Sequence, residues 1–326
     1  MNSFVNILVS HILLNFFIFY FFDSLKKKIN IYDYPDQKKK LHKKATPLMG
    51  GVIFLFNLIL FLMLNNLSLT TPELSILLCS ASFLLIGIFD DKFDLSPYFK
   101  FLSLAIILLV FFIFNEKMII TSFDIYNYDI RFSKNIGIFF SILCILLFVN
   151  ALNLFDGINL QSSLYGLFCL TFLVFSGLFF EIILIIIIPL LLIIYLNNKN
   201  KTFMGDSGTL FLGSIISLIV IANYTKTNFL TTDKIFLLMF LPGTDMLRLF
   251  TERIFHGKNP FIGDREHLHH YFVRLYSYRF SISSIFVISI LPLLISFFIR
   301  SEFVIIFFTI FYFVLLVFLK KKLKKE

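Results

Sequence analysis

A helix needs about 20 predominantly apolar residues to cross the hydrocarbon of a bilayer, and this chain offers apolar stretches one after another. They fall near 4–22, 49–65, 75–89, 101–114, 136–149, 159–176, 179–196, 208–223, 234–252, 281–299 and 303–319. With 58% hydrophobic and 15% charged residues, 47 phenylalanines and no tryptophan, and a mean hydropathy of +0.89, an ordinary soluble globular protein is excluded. The expectation is an all-α polytopic membrane protein of about eleven transmembrane helices. Residues 1–326 form one membrane domain with no separate soluble module.

Charge placement sets the expected topology. No basic residue precedes Phe4, and no small-residue cleavage site follows the first stretch, so it reads as a retained span rather than a signal peptide. The loop from Asp23 to Pro47 then carries eight lysines, which marks it as cytoplasmic. Alternating the spans from there puts 23 of the 29 lysines and arginines on one side. The N-terminus is therefore expected outside and the C-terminus in the cytoplasm. A net charge of +9 gathered beside spans reads as a topology signal and not as a nucleic-acid surface. Cys79, Cys144 and Cys169 lie inside apolar runs and read as small core residues. In the longest outer loop, Glu116 to Asn135, the run FDIYNYDIRF alternates weakly, as a short hairpin would.

The polar clusters all fall on the cytoplasmic side of this topology. Asp90-Asp91 ends the third span, where negative charge opposes the helix dipole and asks for a cation; carboxylate oxygens suit Mg²⁺. Asn150, Asn153 and Asp156 repeat every three residues and share one face if helical. Gly205-Asp206-Ser207-Gly208 before an apolar run reads as a backbone nest at a helix N-terminus, suited to an anion or a metal–phosphate pair, or more simply as an N-cap. The stretch His256 to Tyr271, HGKNPFIGDREHLHHY, sets His267, His269 and His270 beside Lys258 and Arg265. Its groups can hold phosphate or relay protons; the alternative is a basic surface loop. Asp245, mid-span beside Pro242-Gly243, implies a broken helix and an internal partner, for which Arg248 is the candidate. Carboxylates for a divalent cation and basic groups for phosphate, gathered at one membrane face, suggest phosphoryl chemistry on a lipid.

The ordered segments DDKFD, NALNLFDGIN, FMGDSG and PFIGDREHLHH, with Asp33, Pro35, Lys40, His42, Pro47, Gly50 and Gly51 upstream, carry a resemblance. Over about residues 33–271 the chain resembles the polyprenyl-phosphate N-acetylhexosamine-1-phosphate transferases of glycosyltransferase family 4. The histidine loop is similar to the bacterial GlcNAc-1-phosphate branch and unlike the triple-histidine loop of the muramoyl-pentapeptide transferases. The resemblance implies that an undecaprenyl or related polyprenyl phosphate attacks the β-phosphorus of a UDP-N-acetylhexosamine and releases UMP. That would start a lipid-linked cell-envelope glycan at the cytoplasmic face of a bacterial inner membrane. It further implies Asp206 as the ligand of Mg²⁺, with Mn²⁺ as a substitute, and Asp90 and Asp91 at the metal or the lipid phosphate. Phe203 would stack on uracil, and Asn150, Asn153, Asp156 and Asn159 would line the nucleotide pocket. Arg265, His267, His269 and His270 would hold the diphosphate and close the site, with Lys40 and His42 adding contacts. A homodimer is left open. Two departures stand out: the family commonly has Asp at Asn159, and Gly at Gln161. The alternatives are a muramoyl-pentapeptide-type transferase, a membrane prenyltransferase, which would need a second Asp-rich repeat, and a transporter, which would place charges at mid-depth.

Overall fold

The computed structural model describes residues 2–35, 44–65, 69–125, 128–227, 229–259 and 265–324. The N-terminal part comprises α1 (Asn2–Tyr20), α2 (Phe22–Ile29), the short strands β1 (Tyr32–Asp33) and β2 (Thr46–Pro47), α3 (Gly50–Leu64), α4 (Thr71–Phe93) and α5 (Pro97–Phe114). A hairpin of β3 (Ser122–Ile125) and β4 (Tyr128–Arg131) follows, then α6 (Lys134–Phe155), α7 (Gln161–Val174), α8 (Phe180–Asn198) and α9 (Gly205–Lys226). The chain ends with α10 (Thr232–Leu238), α11 (Phe240–Phe255), α12 (Leu268–Leu275), α13 (Tyr278–Ile295) and α14 (Ser301–Leu323).

Among the described residues seven helices, α4, α5, α6, α8, α9, α13 and α14, are long and apolar enough to cross a membrane. An eighth results if α1 and α2, bent by 76°, form one span. The remaining apolar stretches are occupied by α3 and α7, of 15 and 14 residues, and by the broken pair α10–α11. The protein is an all-α polytopic membrane protein.

The hub of the bundle is α9. Of its most apolar window 89% is buried, against 22% for α5, so α9 is surrounded by protein while α5 faces outward. Its buried glycines and serines (Ser207, Gly208, Gly213, Ser214, Ser217) let neighbouring backbones approach closely, which is how helices associate where lipid removes the hydrophobic drive. One very close approach is to α4. A Cβ on Gly87 would lie 2.6 Å from Ser207 N, so only glycine fits there, and the acidic end of α4 is held against the start of α9.

The break between α10 and α11 falls at Met239, three residues before Pro242. Proline cannot donate to the carbonyl four residues back, which here is Leu238, and an orphan carbonyl inside a membrane protein is costly. The buried Tyr165 hydroxyl of α7 donates to that carbonyl instead. At the same end as the α9 C-terminus, β3 and β4 pair antiparallel with Ser122 opposite Arg131, the hairpin that the sequence alternation suggested. Tyr224 of α9 donates to Ser122 O at 3.0 Å. Between α1 and α3, buried His11 and Asn15 both meet Asn57 Oδ1, at 2.9 and 2.7 Å, a polar clasp between helices.

Candidate active site

Three helix ends converge on one lysine. Lys100, in the first turn of α5, donates from Nζ to Asp90 Oδ2 at 2.6 Å and to Asp206 Oδ2 at 2.5 Å. Asp90 lies in the last turn of α4 and also accepts from Leu95 N at 2.9 Å. Asp206 opens α9 and accepts from Asn153 Nδ2 of α6 at 3.3 Å. Thr209, one turn on, donates to Asn153 Oδ1 at 2.8 Å, which fixes the amide with its NH₂ toward Asp206. The cation expected from two carboxylates at an unfavourable helix terminus is thus partly a lysine of the chain. Lys100 read only as a topology charge in the sequence. Its signal, a lysine one turn inside a span and ten residues past the first Asp of an Asp-Asp pair, shows only once α4 and α5 are known to fold back on each other.

Asp91 does different work. Its Oδ1 accepts from Asp206 N at 2.8 Å, and its Oδ2 accepts from Ser207 N at 3.1 Å and Ser207 Oγ at 2.5 Å. It caps α9 from another helix, satisfying two of the terminal N–H groups and placing negative charge at the positive end of the dipole. This corrects the expected anion nest: the N–H groups of Asp206 and Ser207 are already taken by a protein carboxylate. The cap needs the backbone at Gly205 to turn with φ +72°, a conformation natural to glycine.

Beside this cluster the end of α6 brings in Asp156, which accepts from Ser162 Oγ. Burial pushes the Asp156 carboxyl up to about 7, with Asp206 and Asp91 adding to the rise against the Ser162 hydrogen bond. The next residue, Gly157, packs on the His269 ring so closely that an added Cβ would lie 2.6 Å from Cε1. Burial drives His269 well below the usual imidazole range, reinforced by His270 and His267. His270 is pushed down to about 4, again chiefly by burial. Both rings are therefore neutral at neutral pH, suited to hydrogen bonding rather than to charge.

The histidine loop is anchored from below by Asp245. Its Oδ2 lies 2.8 Å from His267 Nδ1, and its Oδ1 accepts from Arg248 Nη2 at 3.0 Å and from the Tyr312 hydroxyl at 2.6 Å. Arg248 also donates to Tyr312 Oη at 2.8 Å, Glu252 Oε2 at 2.9 Å and Glu266 O at 2.6 Å. The partner anticipated for Asp245 is in place, and Tyr312 of α14 completes it; a tyrosine within an apolar span carries no sequence signal for that. Asp245, His267 and His269 bring ligand atoms within 4.8 Å of one another, but Arg248 already supplies the positive charge there, and both Asp245 oxygens have donors.

The other residues named from sequence lie around this core. Phe203 bridges to Leu48 and accepts at its carbonyl from Gly50 N at 3.3 Å, so the end of the first loop is stitched to the start of α9. Asn159 Nδ2 donates to Asn200 Oδ1 at 2.7 Å, and Asn159 O accepts from the Tyr278 hydroxyl at 2.9 Å. Asn150 does not join the group: its Nδ2 turns back to Leu146 O at 2.7 Å. Arg265 stands at the entry to α12, its carbonyl facing Arg274 Nη2 at 3.4 Å. Lys40 and His42 lie outside the described residues.

Asp90 and Asp206 offer carboxylate oxygens that already face a single cation, the Lys100 ammonium, and no thiolate takes part. That set fits Mg²⁺ or Mn²⁺.

Comparison with known proteins agrees with this geometry. The family model described as Glycosyl transferase family 4 matches residues 73–224, which include Asp90, Asp91, Lys100, Asn153, Asp156 and Asp206. The chain is 26% identical over 288 residues to the undecaprenyl-phosphate alpha-N-acetylglucosaminyl 1-phosphate transferase of Escherichia coli K12, covering 82% of this chain and 76% of the relative. It is 27% identical over 272 residues to the probable undecaprenyl-phosphate N-acetylglucosaminyl 1-phosphate transferase of Bacillus subtilis, covering 80% and 75%. The acidic cluster falls wholly inside the segment that matches glycosyl transferase family 4.

Proposed function

We propose that the protein transfers N-acetylglucosamine 1-phosphate from UDP-N-acetylglucosamine to undecaprenyl phosphate, releasing UMP and starting a lipid-linked envelope glycan. The observation that carries this reading is the convergence of Asp90 and Asp206, from different helices, on one cation at the end of the bundle. The names of the Escherichia coli and Bacillus subtilis relatives support the sugar and the acceptor.

Asp206, joined by Asp90, would hold a divalent cation. When bound, Mg²⁺ neutralises charge on the diphosphate and on the transferring phosphoryl group. Lys100 keeps the two carboxylates together and adds a second positive charge beside the phosphates. The acceptor phosphate is mostly dianionic at neutral pH, since the second pKa of a monoester is near 6, so no strong base is required. One of its oxygens bonds to the β-phosphorus, whose bond to the bridging oxygen breaks, and that oxygen leaves with UMP. Asn153 holds the Asp206 carboxylate in place, Arg265 forks onto the diphosphate, and neutral His269 and His270 donate or accept hydrogen bonds. Positioning and charge stabilisation then supply most of the rate.

The same reading has eleven spans in one domain, the N-terminus outside, and the site at the cytoplasmic face of a bacterial inner membrane. Phe203 and Asn159 sit at the nucleotide side. UMP release by the purified protein tests the substrate choice, comparing UDP-GlcNAc, UDP-GalNAc and UDP-MurNAc-pentapeptide with undecaprenyl phosphate. Release from UDP-GlcNAc alone, or well above the others, is expected. Preference for the pentapeptide donor would overturn the assignment.

A further inference from the structure

An ionised carboxylate inside a helical bundle is costly unless fully supplied with donors. Asp245 is 3% exposed and receives five contacts: from Arg248, Tyr312, His267 and, to both oxygens, Leu268 N at 3.3 Å. Three separate elements, α11, α12 with its preceding residue, and α14, are spent on one side chain whose position is not at the Lys100 cluster. What it touches on the site side is His267. An ionised carboxylate can only accept, so the proton on the His267 ring facing it must be on Nδ1. Nε2 then has no hydrogen-bond partner among the described residues. The His267 ring stacks on His269 at 5.3 Å between centroids and 9° between planes. His269 in turn lies on Gly157, next to Asp156. The row of rings leads from Asp245 to the acidic cluster.

We propose that Asp245, backed by Arg248 and Tyr312, is a positioning residue that locks His267 in the Nδ1–H tautomer and turns its Nε2 toward a polar group of the nucleotide sugar. The same logic operates where a carboxylate orients a metal-bound histidine through its second nitrogen. This goes further than the transferase reading above and rests on it for the identity of the substrate. Tyr312, on the last span, thereby acts on the site through two intermediates.

A double-mutant cycle tests the idea, with kcat and KM for UMP release measured in wild type, Asp245→Asn, Tyr312→Phe, His267→Ala and the two pairs containing His267→Ala. If Asp245 acts through His267, Asp245→Asn lowers kcat/KM roughly tenfold or more, and the pair is within roughly threefold of His267→Ala alone. Losses that multiply, or an unchanged kcat/KM in Asp245→Asn, overturn the proposal. Should Asp245→Asn strand Arg248 and fail to fold, Tyr312→Phe decides, because it removes one hydroxyl and no charge. Its smaller loss should vanish in the His267→Ala background and persists there if Tyr312 is merely structural. Nitrogen NMR of histidine-labelled wild type gives a readout independent of turnover. The His267 ring should carry its proton on Nδ1 in wild type and lose that preference in Asp245→Asn. A wild-type ring protonated on Nε2 alone contradicts the proposal even if no transferase activity is found, whereas absent UMP release with the Nδ1 signature intact counts against the transferase reading only.

Discussion

The Lys100 ammonium stands between the carboxylates of Asp90 and Asp206, 2.6 Å from one and 2.5 Å from the other. It ties the start of α5 to the end of α4 and the start of α9. Replacing it with glutamine removes the charge, keeps a polar N–H donor and shortens the side chain by one atom. A charge-assisted hydrogen bond is worth about 1.5–3 kcal/mol, so Lys100→Gln should lower kcat/KM by roughly tenfold or more. Steady-state UMP release checks this, and an unaltered value would place Lys100 outside the machinery.

Asp90 and Asp91 are neighbours in sequence with separable tasks. Asp91→Ala removes the cap of α9 and should lower stability by about 1–2 kcal/mol, as lost N-caps do. Asp91→Asn keeps one acceptor and should lose less. Asp90→Asn should leave thermal stability close to wild type while activity falls. Melting of the detergent-solubilised variants beside their activities separates the two roles; equal destabilisation by Asp90→Asn would contradict the division.

Much of the site can be read along the chain because polar residues inside apolar runs are conspicuous. Asp90, Asp156, Asp206 and Asp245 each interrupt a span or end one. What the sequence leaves hidden is pairing between helices. Asp91 as the cap of α9 requires knowing that Gly87 brings α4 against Ser207. Lys100 looks like any basic residue flanking a span. Tyr312 and Tyr165 satisfy a carboxylate and an orphaned carbonyl from distant helices, and nothing in their own neighbourhood marks them. The triplet periodicity placed Asn150 with Asn153, yet the amide of Asn150 is spent on its own helix.

Asp156 makes stability depend on pH. Its carboxyl is raised to about 7 in the folded protein, above an unfolded value near 3.9. Between these values the folded state holds the extra proton, so stability is greatest at the acid end and declines as pH rises through about 7. In chelator, the thermal midpoint of wild type should fall over that interval more steeply than that of Asp156→Asn. Parallel curves would mean Asp156 is ionised throughout.

Asn159 donates to Asn200 Oδ1 at 2.7 Å, away from the lysine-bridged carboxylates. Asn159→Asp cannot donate, but rotation of the Asn200 amide restores one bond. KM for the UDP-sugar should therefore change by less than roughly tenfold, about one neutral hydrogen bond, with kcat little altered. A collapse of kcat at constant KM would move Asn159 to the chemical step.

The central claim is that the bond to the β-phosphorus is the one exchanged. UDP-GlcNAc radiolabelled at the β-phosphorus, incubated with the protein, Mg²⁺ and undecaprenyl phosphate, follows that atom directly. The label should pass into a lipid-extractable product, with unlabelled UMP released in equal amount, and Asp206→Asn should abolish both. Label retained in the nucleotide, or sugar reaching the lipid without it, would contradict phosphoryl transfer.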